Sequence, residues 1–125
     1  MVDPLVLVVD DNQEMRDLLE RALTLEGIRV RTASGVLRAL EALHDGSPRP
    51  DLIVTDLMMP QTTGWDFLKH VREEPALQSL PVIIITGADP GEGEGLADLV
   101  LRKPVDPLQL AEAVRSLLLA KSPPT

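Results

Sequence analysis

The sequence holds no cysteine and no tyrosine, and a single tryptophan and a single phenylalanine among 125 residues. Without cysteine there are no disulfides and no thiolate metal sites, which suits a reducing compartment. So few aromatics exclude a base-stacking surface for single-stranded nucleic acid. Basic residues are outnumbered: 12 Lys and Arg against 20 Asp and Glu give 12 − 20 = −8. That charge repels phosphate backbones, so no direct nucleic acid binding by this segment is expected. No apolar run approaches the ~20 residues of a membrane span. No basic stretch precedes the first apolar run, as a secretory signal would require. The expectation is a cytoplasmic chain with no membrane partner.

What is present is regular. A chain of this length is expected to form one domain with its own core, here residues 1–121, with 122–125 as a tail or the start of a linker. Leu5-Val6-Leu7-Val8-Val9 is a continuous apolar run, as in a strand covered on both faces, and it ends on Asp10-Asp11. Asn12 is placed to cap a helix with Met15, Leu18, Leu19, Ala22 and Leu23 on one face, closed by Gly27. Ile28–Thr32 reads as a more polar edge strand. Ser34 is expected to cap a helix with Leu37, Leu40 and Leu43 inward, followed by a loop over 44–50. Leu52–Thr55 is a third strand and Val82–Ile85 a fourth. Between them a helix runs from about Gly64 to Glu73, with Trp65 expected to pack. Leu99–Leu101 is a short fifth strand. Asp106-Pro107 opens a last helix with Leu110, Ala111, Val114, Leu117 and Leu118 as its buried stripe. Strand alternating with helix predicts an α/β fold, a doubly wound parallel sheet with helices on both faces.

In a parallel sheet every strand's C-terminal end lies on one edge, and open α/β sheets bind ligands there. Asp10, Asp11, Asp56, Thr86 and Lys103 all fall on that edge. Carboxylates crowded together repel and raise one another's pKa. A hard dication relieves this, taking carboxylate oxygens, a backbone carbonyl and waters. A lysine beside them is able to pair with a carboxylate or an arriving phosphoryl group.

Asp10-Asp11, Asp56 with Met59-Pro60 and Gly64, Thr86 after an apolar strand, and Lys103-Pro104 together resemble a response-regulator receiver domain of two-component signalling. The resemblance spans nearly the whole chain. It implies a flavodoxin-like, chemotaxis-regulator-like fold: five parallel strands in the order 2-1-3-4-5. It further implies Asp56 as phosphoacceptor, Asp10, Asp11, Asp56 and the backbone carbonyl of Met58 as Mg²⁺ ligands, Thr86 as hydrogen-bond partner of the phosphoryl group, and Lys103 as its counter-ion. A cis peptide before Pro104 is implied as well. The implied partners are a histidine kinase or histidine phosphotransfer protein, a downstream effector or output domain, and a second copy of the chain.

Two positions depart from the family. Val100 stands where receivers usually carry an aromatic on the fifth strand. The segment from Thr86 to Lys103 is short and holds Pro90 and several glycines, which oppose helix by about 3 and about 1 kcal/mol each. The fourth helix is therefore expected to be shortened or missing, and the output atypical. A receiver-like interaction module that signals without phosphate stays open as an alternative. A phosphatase resembling the haloacid dehalogenases is disfavoured, because Met58 sits where its second Asp belongs. Gly91-Glu92-Gly93-Glu94-Gly95 is read as an acidic loop, and His44 and His70 as exposed residues without a second ligand at metal spacing.

Overall fold

The computed structural model describes residues 4–57, 64–87 and 95–121. Nine elements follow one another: β1 (Leu5–Val9), α1 (Gln13–Thr24), β2 (Arg29–Ala33), α2 (Val36–His44), β3 (Leu52–Asp56), α3 (Gly64–Glu73), β4 (Val82–Thr86), β5 (Leu99–Arg102) and α4 (Pro107–Lys121). The strands form one parallel sheet in the order β2-β1-β3-β4-β5. Its register aligns Val9 with Thr55 and Thr55 with Ile84.

The continuous apolar runs arise because both faces of the sheet are covered. Leu7, Val9, Ile53, Val82 and Ile84 point to the face packed by Val36 and Ala39 of α2 and Phe67, Leu68 and Val71 of α3. The alternate residues Val6, Val8, Leu52, Val54, Ile83 and Ile85 meet Leu19 and Leu23 of α1 and Leu110, Ala111 and Val114 of α4. Trp65, half-buried, packs against the first cluster.

Local signals set most helix ends. Asn12 Oδ1 accepts the Met15 N–H at 3.0 Å, closing the first turn of α1. Gly27 follows that helix with φ +81°, a conformation that costs a residue with a side chain. Asp106 Oδ1 accepts the Leu108 N–H at 3.0 Å at the head of α4. The start of α2 differs from expectation. Its cap is Gly35, which lends no side-chain hydrogen bond, and not Ser34. The helix buries Val36 and Ala39, with Leu40 and Leu43 partly covered, while Leu37 is 67% exposed. The buried face is centred on Val36, Ala39, Leu40 and Leu43, and Leu37, turned about 100° from Val36, falls outside it. His44, expected in the loop, ends the helix. Strand β2 likewise runs one residue later than read.

Four helices are formed among the described residues, against five in the usual receiver pattern. Between β4 and β5 the described residues 95–98 make one tight turn at Gly95-Leu96. The acidic glycine stretch otherwise lies outside the described residues.

Candidate phosphoryl-acceptor site

The sheet delivers the expected groups to one edge. Asp10 directly follows β1, Asp56 is the last residue of β3, Thr86 is the last of β4, and Lys103 directly follows β5. The Lys103 N–H donates to the Thr86 carbonyl at 2.9 Å, so the turn out of β5 is tied to the end of β4. The Lys103–Pro104 peptide is cis. The Asp10 N–H donates to the Ala33 carbonyl at 3.1 Å, which fixes the end of β1 against β2.

The side chains converge. Asp10, Asp56 and Thr86 are buried, Lys103 is half-buried and Asp11 is exposed. Lys103 Nζ lies 3.2 Å from Asp56 Oδ2 and 4.0 Å from Asp10 Oδ2. Asp10, Asp11 and Asp56 each place a carboxylate oxygen within 4.8 Å of the others. Burial pushes the Asp10 carboxyl above its ordinary range. The Asn12 N–H, donating to Oδ1 at 2.9 Å, pulls it back, Asp56 pushes it up again, Lys103 draws it down, and Asp11 adds a last upward push. Three carboxylates face one ammonium here, a donor set of hard oxygens that fits a Mg²⁺ ion. The backbone carbonyl of Met58, implied as a further ligand, lies outside the described residues.

Gly64 is required by this geometry. Its N–H donates to the Leu57 carbonyl at 2.7 Å. A Cβ there would lie 2.6 Å from the Asp56 carbonyl oxygen and 2.9 Å from Leu57 Cα. Both are backbone atoms, so relief would have to move the segment that carries Asp56. Val100, the departure on β5, is half-buried and packs against the cluster under α2 and α3.

Some participants are not apparent in the sequence. Arg16 donates from its guanidinium to the Asp10 backbone carbonyl at 2.7 Å, bracing the acidic turn from α1. Arg72 donates to the carbonyls of Leu96, Gln78 and Leu80 and pairs with Asp98 at 2.9 Å, at the far edge of the sheet. His44 and His70, read as lone residues, meet each other. The signal for each is tertiary proximity, which spacing along the chain does not carry.

No helix among the described residues is long and apolar enough to cross a membrane. A family model for the response regulator receiver domain matches residues 6–115. The two-component response regulator ORR13 of Oryza sativa is 35% identical, covering 94% of this chain and 98% of that protein. Response regulator Rre1 of Synechocystis is 35% identical over 94% of this chain but only 53% of its own length. The structure of the Vibrio cholerae chemotaxis protein CheY4 superposes with a TM-score of 0.84 at 29% identity, covering 92% of this chain and 98% of that one. Receiver domains bind Mg²⁺ at an acidic pocket and work with histidine kinases or phosphotransfer proteins. With the strand order, the acidic edge and these similarities in agreement, the chain belongs to the response regulator receiver domain family.

Proposed function

We propose that this chain is a phospho-accepting receiver in which Asp56 takes a phosphoryl group from a histidine kinase or a histidine phosphotransfer protein. The observation that carries the reading is the 3.2 Å approach of Lys103 Nζ to Asp56 Oδ2, with Asp10 sharing the same ammonium. A carboxylate oxygen of Asp56 attacks the phosphorus of a phosphohistidine. The O–P bond forms as the N–P bond breaks, and the imidazole leaves with the electron pair and is protonated by solvent. Lys103 balances charge on the transferred group, and the Thr86 hydroxyl donates to one of its oxygens. Asp10, Asp11, Asp56 and the backbone carbonyl of Met58 would hold Mg²⁺, which when bound neutralises charge on the phosphoryl oxygens.

The residues two positions after Asp56 and after Thr86 are Met58 and Ala88. Neither side chain orients an attacking water by hydrogen bonding, so self-hydrolysis is slow. Val100 has no ring to turn inward, so the output differs from the aromatic switch usual in the family. The phosphorylated surface serves a downstream effector or output domain, or a second copy.

The test is intact-mass spectrometry after incubation with acetyl phosphate and Mg²⁺. One added phosphoryl group is expected on the wild-type chain and none on Asp56→Asn, whose circular dichroism should be unchanged. An unmodified wild-type chain contradicts the reading. Val100 favours a second reading, a module that signals without phosphate. That reading requires an Asp56→Asn chain to keep full partner binding and output.

A further inference from the structure

We propose that the C-terminal ends of α2 and α3 form a binding site for a transition-metal dication of the zinc type, held by His44, His70 and Glu74. The three side chains each place one ligand atom within 4.8 Å of the others. His44 is the last residue of α2, and His70 sits in the last turn of α3. Glu74 follows four residues after His70, and its N–H donates to the His70 carbonyl at 3.1 Å, continuing the helical turn. That spacing puts His70 and Glu74 on one helical face, opposite His44 on the neighbouring helix.

The geometry is specific. The two Nε2 atoms face each other at 3.3 Å, and the rings stand edge to face with an interplanar angle of 87°. At Zn–N bonds of about 2.0–2.1 Å, two corners of a tetrahedron lie about 3.3–3.4 Å apart. The observed separation matches that spacing, so turning the two rings about their side-chain bonds brings both nitrogens onto one ion. The carboxylate of Glu74 supplies a third ligand, and the fourth falls to water because His44 is exposed. Imidazole nitrogen selects zinc-type ions over Mg²⁺ and Ca²⁺, which take oxygen.

The surroundings favour positive charge independently of the ligands. Two helices end here, and helix C-termini carry partial negative charge that stabilises a cation. The site is also separate from the acidic pocket. Each helix runs back from the end of its preceding strand, so the C-terminal ends of α2 and α3 lie at the sheet edge away from Asp56. A bound ion would clip together the two helices that cover one face of the sheet.

Zinc chloride titrated into the full chain, in buffer with saturating Mg²⁺ and a competing colorimetric chelator, tests this. One Zn²⁺ per chain is expected. His44→Ala and His70→Ala should each weaken binding at least tenfold, and Glu74→Gln by a smaller factor, while Asp56→Asn leaves it intact. In the wild-type chain, zinc should shift the imidazole NMR signals of both His44 and His70, a readout that needs no variant to fold. Absence of competitive binding, binding that survives both histidine substitutions, binding lost in Asp56→Asn, or unmoved imidazole signals would each overturn the proposal and leave a hydrogen-bonded histidine pair only.

Discussion

The two edges of the sheet use the same residue type in opposite ways. At the edge where strands begin, aspartates serve the backbone. Asp51 Oδ2 accepts the Leu5 N–H at 2.8 Å, and Asp98 Oδ2 accepts the Val82 N–H at 2.7 Å while pairing with Arg72. Each carboxylate meets a donor that the first residue of a strand would otherwise leave unpaired. At the edge where strands end, Asp10, Asp11 and Asp56 crowd one another, Lys103 lies against Asp56 and Asp10, and burial pushes the Asp10 carboxyl upward. One edge closes the fold. The other concentrates negative charge, which suits the Mg²⁺ binding general to receiver domains. The general lesson is that an aspartate's role in a parallel sheet depends on which end of the strand it occupies.

Substitutions that exchange the logic of the edges should separate them. The largest effect is expected for Lys103→Ala at the strand-end edge. Removing the ammonium should slow phosphorylation by acetyl phosphate about 10²–10³-fold, on the scale of losing one preorganised electrostatic group, and should lower stability in urea as well, because buried Asp10 and Asp56 lose their counter-ion. Gly64→Ala should affect both properties. Its Cβ would strike the Asp56 and Leu57 backbone, costing about 3 kcal/mol in urea unfolding and lowering phosphorylation with it. Arg72→Ala at the strand-start edge should cost about 2 kcal/mol of stability, since its charged hydrogen bonds to three carbonyls and Asp98 are lost. Its rate of phosphorylation should stay near wild type.

The smallest effects carry the sharpest contrast. Asp51→Asn should destabilise by about 1 kcal/mol, because it weakens a charge-assisted bond to Leu5. Asp10→Asn, measured without Mg²⁺, should instead stabilise by about 1 kcal/mol, or roughly 3–5 °C in Tm. It removes a buried like charge while its amide oxygen still accepts the Asn12 N–H. Equal signs for the two substitutions would erase the distinction between the edges.

Much of this was legible in the order of residues. The apolar runs 5–9, 52–55 and 82–85 read as buried strands because they are covered on both faces. Asn12, Gly27 and Asp106 mark helix ends through contacts spanning a few residues. The acidic edge followed from topology, because a strand's last residue has a known place once the sheet is parallel. Other features were hidden. Gly35 displaced Ser34 as the cap of α2, and Leu37 fell outside a buried face that runs through Val36, Ala39, Leu40 and Leu43. Arg72 with Asp98 and His44 with His70 are pairs 26 residues apart, joined only after the helices pack. Arg16 reaches a backbone carbonyl, a partner that no side-chain motif encodes. Gly64 was recognised by its place in the family pattern, and the structure supplies the cause in its approach to the Asp56 carbonyl.

The most direct measurement is to locate the phosphoryl group by tandem mass spectrometry after acetyl phosphate treatment, with Mg²⁺ and with EDTA in its place. Modification at Asp56 that depends on Mg²⁺ is expected. A phosphoryl group on a different side chain, or on Asp56 to the same extent in EDTA, would contradict it.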